Sequence, residues 1–166
     1  LPSAEDCLTL RGTGHELTAN DVAGALKVDV AAGRVEARSI GGRAILTADR
    51  AADLQLDEVR GNVELDLSDG SLATLERVAG MVEGRVQGAE LTASGVEEGV
   101  DLTGRDAVVS LSGISQGVRI DFANSIVDVE TVSRFTADLS FQGETEARIG
   151  VPTPCLVKVG DARDGA

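Results

Sequence analysis

VRGNVELDLSDGSLATLERVAGMVEGRV, residues 59–86, states one short phrase twice. Val59-Arg60-Gly61-Asn62-Val63-Glu64-Leu65 returns as Val78-Ala79-Gly80-Met81-Val82-Glu83-Gly84, with the second valine nineteen positions after the first. From this pair the frame extends in both directions. Equivalent starts fall at Val22, Ile40, Val59, Val78, Val96, Ile114 and Val132, in steps of 18, 19, 19, 18, 18 and 18 residues. A first start at Ala4 is in step with Leu8 and Leu10, and a last at Val151 is in step with Cys155, Val157 and Val159. A fixed period of this kind marks a repeat architecture, in which each unit buries its apolar face only by stacking on its neighbours.

Within one period the fourth, sixth and eighth residues after the anchor are apolar, as in Leu26, Val28, Val30 and in Val63, Leu65, Leu67. This alternation belongs to a strand with one buried face. A second alternation lies five and three residues before each anchor, as in Leu54 and Leu56 or Leu91 and Ala93. Each period therefore holds two strands plus a short one at the anchor. Turn formers such as Ala32-Gly33, Asp69-Gly70 and Gln87-Gly88 separate them, and Gly24, Gly42, Gly61 and Gly80 recur two residues past the anchor. Helical spacing does not persist, and eighteen residues are too few for a helix pair. The pattern predicts an all-β, single-stranded β-solenoid of about eight coils of 18–19 residues, one domain over residues 1–166. Residues 1–21 form the first coil, 22–150 the regular coils, and 151–166 the last strand and tail.

The phrase Val-x-Gly-x-Val-x-Leu, a turn with Gly, then Val-x-Leu-x-x-Val resembles the bacterial adhesin-like domain of unknown function with β-helical repeats, and more distantly the bactofilins. The resemblance runs from about Val22 to Val132. It implies a right-handed parallel β-helix, an envelope or surface setting, and no catalytic residues. The chain departs from the pattern at Gly84 and Gly104, where an inward apolar residue is expected. It departs again after Val132, where Phe135, Ala137, Leu139 and Phe141 alternate out of frame.

Composition narrows the function classes. The chain is 42% apolar, ordinary for a folded domain, and only 2% aromatic with no Trp or Tyr, so the core is built from Val, Leu, Ile and Ala. A formal charge of −13 opposes nucleic acid, whose binding depends on cationic side chains neutralising phosphates, and opposes anionic lipid headgroups. No apolar run approaches the roughly 18 residues of a membrane span, so membrane insertion is not expected. The start, Leu1-Pro2-Ser3-Ala4-Glu5-Asp6-Cys7, reads as a mature end left by cleavage, which agrees with an extracellular or cell-surface location.

Signals for catalysis are sparse, and no catalytic residue, cofactor or metal site is expected. His15 is the only histidine and lies in a loop-like Gly12-Thr13-Gly14-His15-Glu16. One histidine with two remote cysteines does not make a zinc site. Arg11-Gly12-Thr13-Gly14 lacks the third glycine and the following helix of a dinucleotide fingerprint. Asp66 with Asp69, and Glu97 with Glu98, lie outside any calcium-binding repeat. A carbohydrate-active β-helix enzyme remains the catalytic alternative, but it would need aromatic platforms for sugars that the outward positions lack.

The two cysteines carry the sharpest inference. Cys7 lies in the first coil and Cys155 in the last, about 38 Å apart at roughly 4.8 Å per coil, whereas a disulfide needs Cα atoms within about 7 Å. Their positions relative to the anchors differ by a single residue. Three outcomes stay open: a bridge between stacked subunits, an internal bridge through a folded-back terminus, or two free thiols. An uncapped coil also leaves unpaired backbone groups and a slice of core exposed. The sequence thus predicts a non-enzymatic structural protein that pairs with itself head to tail. The expected interface is Leu8, Leu10, Phe135, Leu139, Phe141, Val157 and Val159. The alternative is a monomeric adhesin or scaffold module holding a cell-surface or glycan partner along its side.

Overall fold

The computed structural model describes residues 7–131, 136–150 and 156–161. The chain winds as a β-solenoid of about eight turns, with no helix among the described residues. In chain order the strands are β1 (Cys7–Thr13), β2 (Glu16–Val22), β3 (Ala25–Ala31), β4 (Arg34–Ile40), β5 (Ala44–Asp49) and β6 (Asp53–Val59). Next come β7 (Val63–Ser68), β8 (Leu72–Val78), β9 (Met81–Gln87), β10 (Glu90–Val96), β11 (Gly99–Arg105) and β12 (Val108–Ile114). The series ends with β13 (Gly117–Ala123), β14 (Ile126–Thr131), β15 (Thr136–Gln142), β16 (Glu146–Gly150) and β17 (Leu156–Asp161). Odd strands stack in order as a nine-stranded sheet and even strands as an eight-stranded sheet, and every pairing is parallel. Of the repeat starts, Ala4, Val132 and Val151 lie outside the described residues.

Both sheets turn one face inward, and six apolar columns fill the space between them. Three alternate residues of an odd strand point in, the second, fourth and sixth in β3 (Leu26, Val28 and Val30) and the first, third and fifth in the shorter β5 and β7 (Ala44, Leu46 and Ala48 in β5), all buried. An even strand buries its second, fourth and seventh residues, as with Leu91, Ala93 and Val96. The change of spacing has a backbone cause. The residue before the anchor adopts positive φ in six successive coils: Asp21 (56°), Ser39 (56°), Glu58 (58°), Arg77 (55°), Gly95 (66°) and Gly113 (65°). Pairing skips this residue, so that Ser94 faces Glu76 and Val96 faces Val78. The kink returns the anchor to the core. The anchor is therefore the last residue of the even strand, and the separate short strand expected from the sequence does not exist.

The irregular step of the repeat is absorbed at the opposite corner. Two residues, 32–33 or 88–89, join an odd strand to the next even one in the 18-residue coils, whereas three, 50–52 and 69–71, do so in the 19-residue coils. Small residues turn inward there: Ala52, Ser71, Ala89, Ala107 and Ser125 are buried. Backbone bonds continue the ladder around this corner, with Leu72 N donating to Ala52 O at 2.8 Å and Glu90 N to Ser71 O at 2.9 Å. Ser125 Oγ donates to Ala123 O at 2.7 Å and accepts from Ala107 N at 3.1 Å.

The two inward glycines have steric reasons. A Cβ on Gly84, whose φ is 149°, would strike the carbonyl oxygen of Leu65 in the preceding coil. A Cβ on Gly104 would strike Val86 O and lie 2.7 Å from Cε1 of Phe122, its partner in the next rung. Phe122, fully buried, fills the room that a side chain at Gly104 would take. The later coils also keep the frame better than the sequence suggests. Ala137, Leu139 and Phe141 pair with Val118, Ile120 and Phe122 and so continue the three odd-strand columns, one residue late.

Candidate functional site

The N-terminal end of the solenoid is open among the described residues. Among the described residues β1 pairs only with β3 and β2 only with β4, so that one edge of each strand has no described backbone partner. The side chains beneath that edge are correspondingly uncovered. Leu8 is 41% exposed, and Leu10, Leu17 and Val22 are only half-buried against the core. Their counterparts one coil further in, Leu26, Val28, Val35 and Ile40, are fully enclosed.

At the other end the sequence-derived interface residues separate. Leu139 is buried at 1% exposure, because β17 covers its strand, and Phe141 is half-buried against the core. Val157 and Val159 stand in β17 at register positions beside Ala137 and Leu139. Phe135 lies outside the described residues. In β16, the last strand of the eight-stranded sheet, Ala147 is exposed and Ile149 half-buried.

Cys7 heads β1 and is an exposed free thiol. Cys155 lies outside the described residues, but the register locates its neighbour. Leu8, Leu26, Ala44, Val63, Val82, Val100, Val118, Ala137 and Val157 form one column, so Cys7 is level with Leu156 at the far end of the sheet. Eight rungs separate β1 from β17, about 38 Å at roughly 4.8 Å each.

His15 is exposed at the β1–β2 corner, where its carbonyl accepts from Arg34 N at 2.9 Å. No group of three or more metal-ligating side chains is found among the described residues. A groove of about 780 Å³ runs along the anchor corner, lined by Asp21, Ser39, Glu58, Arg77, Gly95 and Gly113 among others. Its polar wall is tied together across coils: Ser39 Oγ donates to Glu58 Oε2 at 3.0 Å, and Arg77 Nε donates to Asp57 Oδ1 at 2.8 Å. The Arg77 hydrogen bond holds the Asp57 carboxyl below its ordinary value, with further help from the nearby charges of Arg77 and Arg38. Sequence periodicity could not reveal this groove, since it arises from backbone kinks that only the positive φ column creates.

On the nine-stranded sheet Glu64, Glu83 and Asp101 stack in three successive rungs, with Arg43 Nη1 3.8 Å from Glu64 and Arg119 Nη1 3.9 Å from Asp101. The sides thus carry cross-coil ion pairs amid an excess of acidic residues, whereas the first coil exposes Leu8. Compared with known proteins, the chain matches no family model, no curated protein and no solved structure.

Proposed function

We propose that this chain is a non-catalytic, extracellular β-solenoid subunit that assembles head to tail, the first coil of one copy on the last coil of another. The observation that carries this reading is the open edge of β1 and β2 above the exposed Leu8 and half-buried Leu10 and Leu17. An edge of unpaired N–H and C=O groups beside uncovered apolar side chains is a template for further strands. Charge directs the contact to the ends. Residues 146–166 hold three acidic and three basic side chains, in a chain whose net charge is −13. Side-by-side contact sets acidic faces together, and end-to-end contact does not. The repeat's resemblance to adhesin-like domains supports the surface setting.

Sedimentation velocity over a wide concentration range tests the assembly. Multimers that grow with concentration are expected, and Leu8→Lys, which places a charge on the exposed edge without opening the core, reduces them. Monomers alone at every concentration would overturn the proposal. The corner groove favours a second reading, a monomeric scaffold that holds a partner along its side, and that reading predicts no effect of Leu8→Lys on self-association.

A further inference from the structure

Most of the described arginines are committed to an acid: seven of them hold a carboxylate within 4.0 Å. Arg38, Arg60, Arg85 and Arg105 hold none among the described residues, and the last two line one open cavity of about 420 Å³ on the outer face of the nine-stranded sheet. We propose that this cavity binds a uronic acid residue of an acidic glycan, with the sugar carboxylate held between the two guanidinium groups. The site lies in the middle of the stack and is complete in one copy, so it does not depend on the head-to-tail reading above.

Strand register brings the two cations together. Val86 of β9 and Leu102 of β11 are buried in the core, so Arg85, Gln87, Thr103 and Arg105 alternate to the outside. Arg85 pairs with Thr103 and Gln87 with Arg105, which makes the arginines diagonal neighbours on adjacent rungs. A rung of roughly 4.8 Å and a two-residue step of roughly 6.6 Å set their Cα atoms about 8 Å apart. Both side chains are exposed. A guanidinium presents its donors in a planar fork that matches a carboxylate, so two converging forks hold one carboxylate in a fixed orientation.

The remaining lining favours hydroxyls over further charge. In one column Thr103 stands between Arg85 and Asp121, and in the next the short Ala123 stands between Arg105 and Gln142, which leaves room above it. Thr103, Gln87 and Gln142 both donate and accept, whereas an ionised Asp121 only accepts. A hydroxyl therefore satisfies Asp121, and a second anion is repelled by it. Asp66, beside Arg85 on the preceding rung, limits the other side in the same way. Two cations in a chain of net charge −13 do not offset a densely charged polymer such as nucleic acid. An acidic peptide brings its carboxylates close together and sets the extra ones against Asp66 or Asp121. A sugar ring with one carboxylate and several hydroxyls meets every group in the cavity.

The other surface hollows do not offer this combination. In the corner groove Arg77 is committed to Asp57, and Asp21, Glu58 and Glu97 surround Arg60. The hollow beside Gly84 is lined by Glu64, Asp66, Glu83 and Asp101 with no cation.

Calorimetric titration of the full chain with a trimer of galacturonic acid tests the site. Binding is expected, and added sodium chloride weakens it by screening the carboxylate from the arginines. The double variant Arg85→Gln, Arg105→Gln is expected to lose at least about tenfold in affinity, as the removal of a charge-assisted hydrogen bond implies. Its urea midpoint should stay close to the parent's, since both side chains are exposed, so the loss is not one of folding. Arg38→Gln, on the eight-stranded sheet, should leave binding unchanged. The neutral galactose trimer is expected to bind at least about tenfold more weakly than the acidic one. No binding of the acidic trimer, equal binding of the neutral one, or undiminished binding by the double variant would each overturn the site. Triglutamate or inorganic sulfate bound as tightly as the trimer would overturn the glycan as its ligand. Self-association is read separately by sedimentation, and neither result there alters the binding expected here.

Discussion

Ala32 occupies, at φ 52°, a corner position where Gly14 and Gly88 serve in other coils at 68° and 55°. The left-handed region costs an L-residue roughly 1–2 kcal/mol, partly offset in glycine by its greater freedom when unfolded. Ala32→Gly is therefore expected to stabilise the fold by about 0.5–1 kcal/mol, read as a higher urea midpoint. A second prediction at a single side chain concerns Asp57. Its carboxyl is held low by Arg77, so the pair contributes above the unfolded carboxylate value and is lost as pH falls through the depressed folded value. The Arg77 side chain is 62% exposed, so the effect is small. Asp57→Asn should lower the urea midpoint slightly at neutral pH, and the difference from the parent should vanish in strong acid.

Position along the stack sets the weight of each strand. Leu91 in β10 is fully buried with coils on both sides, while Leu17 in β2 is half-buried at the open end. Leu91→Ala is expected to cost about 2–4 kcal/mol through lost transfer energy and a residual cavity. Leu17→Ala should cost about 1 kcal/mol, since water already reaches it. Urea unfolding of the two variants checks the order, and equal losses would contradict an uncovered first coil. The strands themselves were legible as pairs of alternating residues. The join between alternation and anchor was not, because the extra residue between Ala93 and Val96 is a backbone kink at Gly95, and periodicity cannot distinguish a kink from a new strand.

Charge acts along the full length of the solenoid. Glu64, Glu83 and Asp101 stack about 4.8 Å apart in a chain with net charge −13, and Arg43 and Arg119 offset only part of that repulsion by pairing with Glu64 and Asp101. Raising ionic strength shortens the screening length from about 30 Å at 0.01 M to about 8 Å at 0.15 M. The urea midpoint should therefore rise with added sodium chloride, and a midpoint that falls would show that attractive pairs outweigh the repulsion.

The repeat, the coil length, the two strands of each coil and nearly all of the inward columns were written in the chain's own pattern, because burial of one strand face imposes alternation on every coil alike. That pattern also marked Gly84 and Gly104 as exceptions. Their explanation came with the folded coils, since the clash of a Cβ with Leu65 O or Val86 O depends on how closely one coil lies on the next. The corner kinks, the groove beside them and the sheet to which each terminal strand belongs were likewise settled by the winding of the chain. They depend on where residues distant in sequence meet, and a local pattern of apolar and polar residues does not encode that meeting.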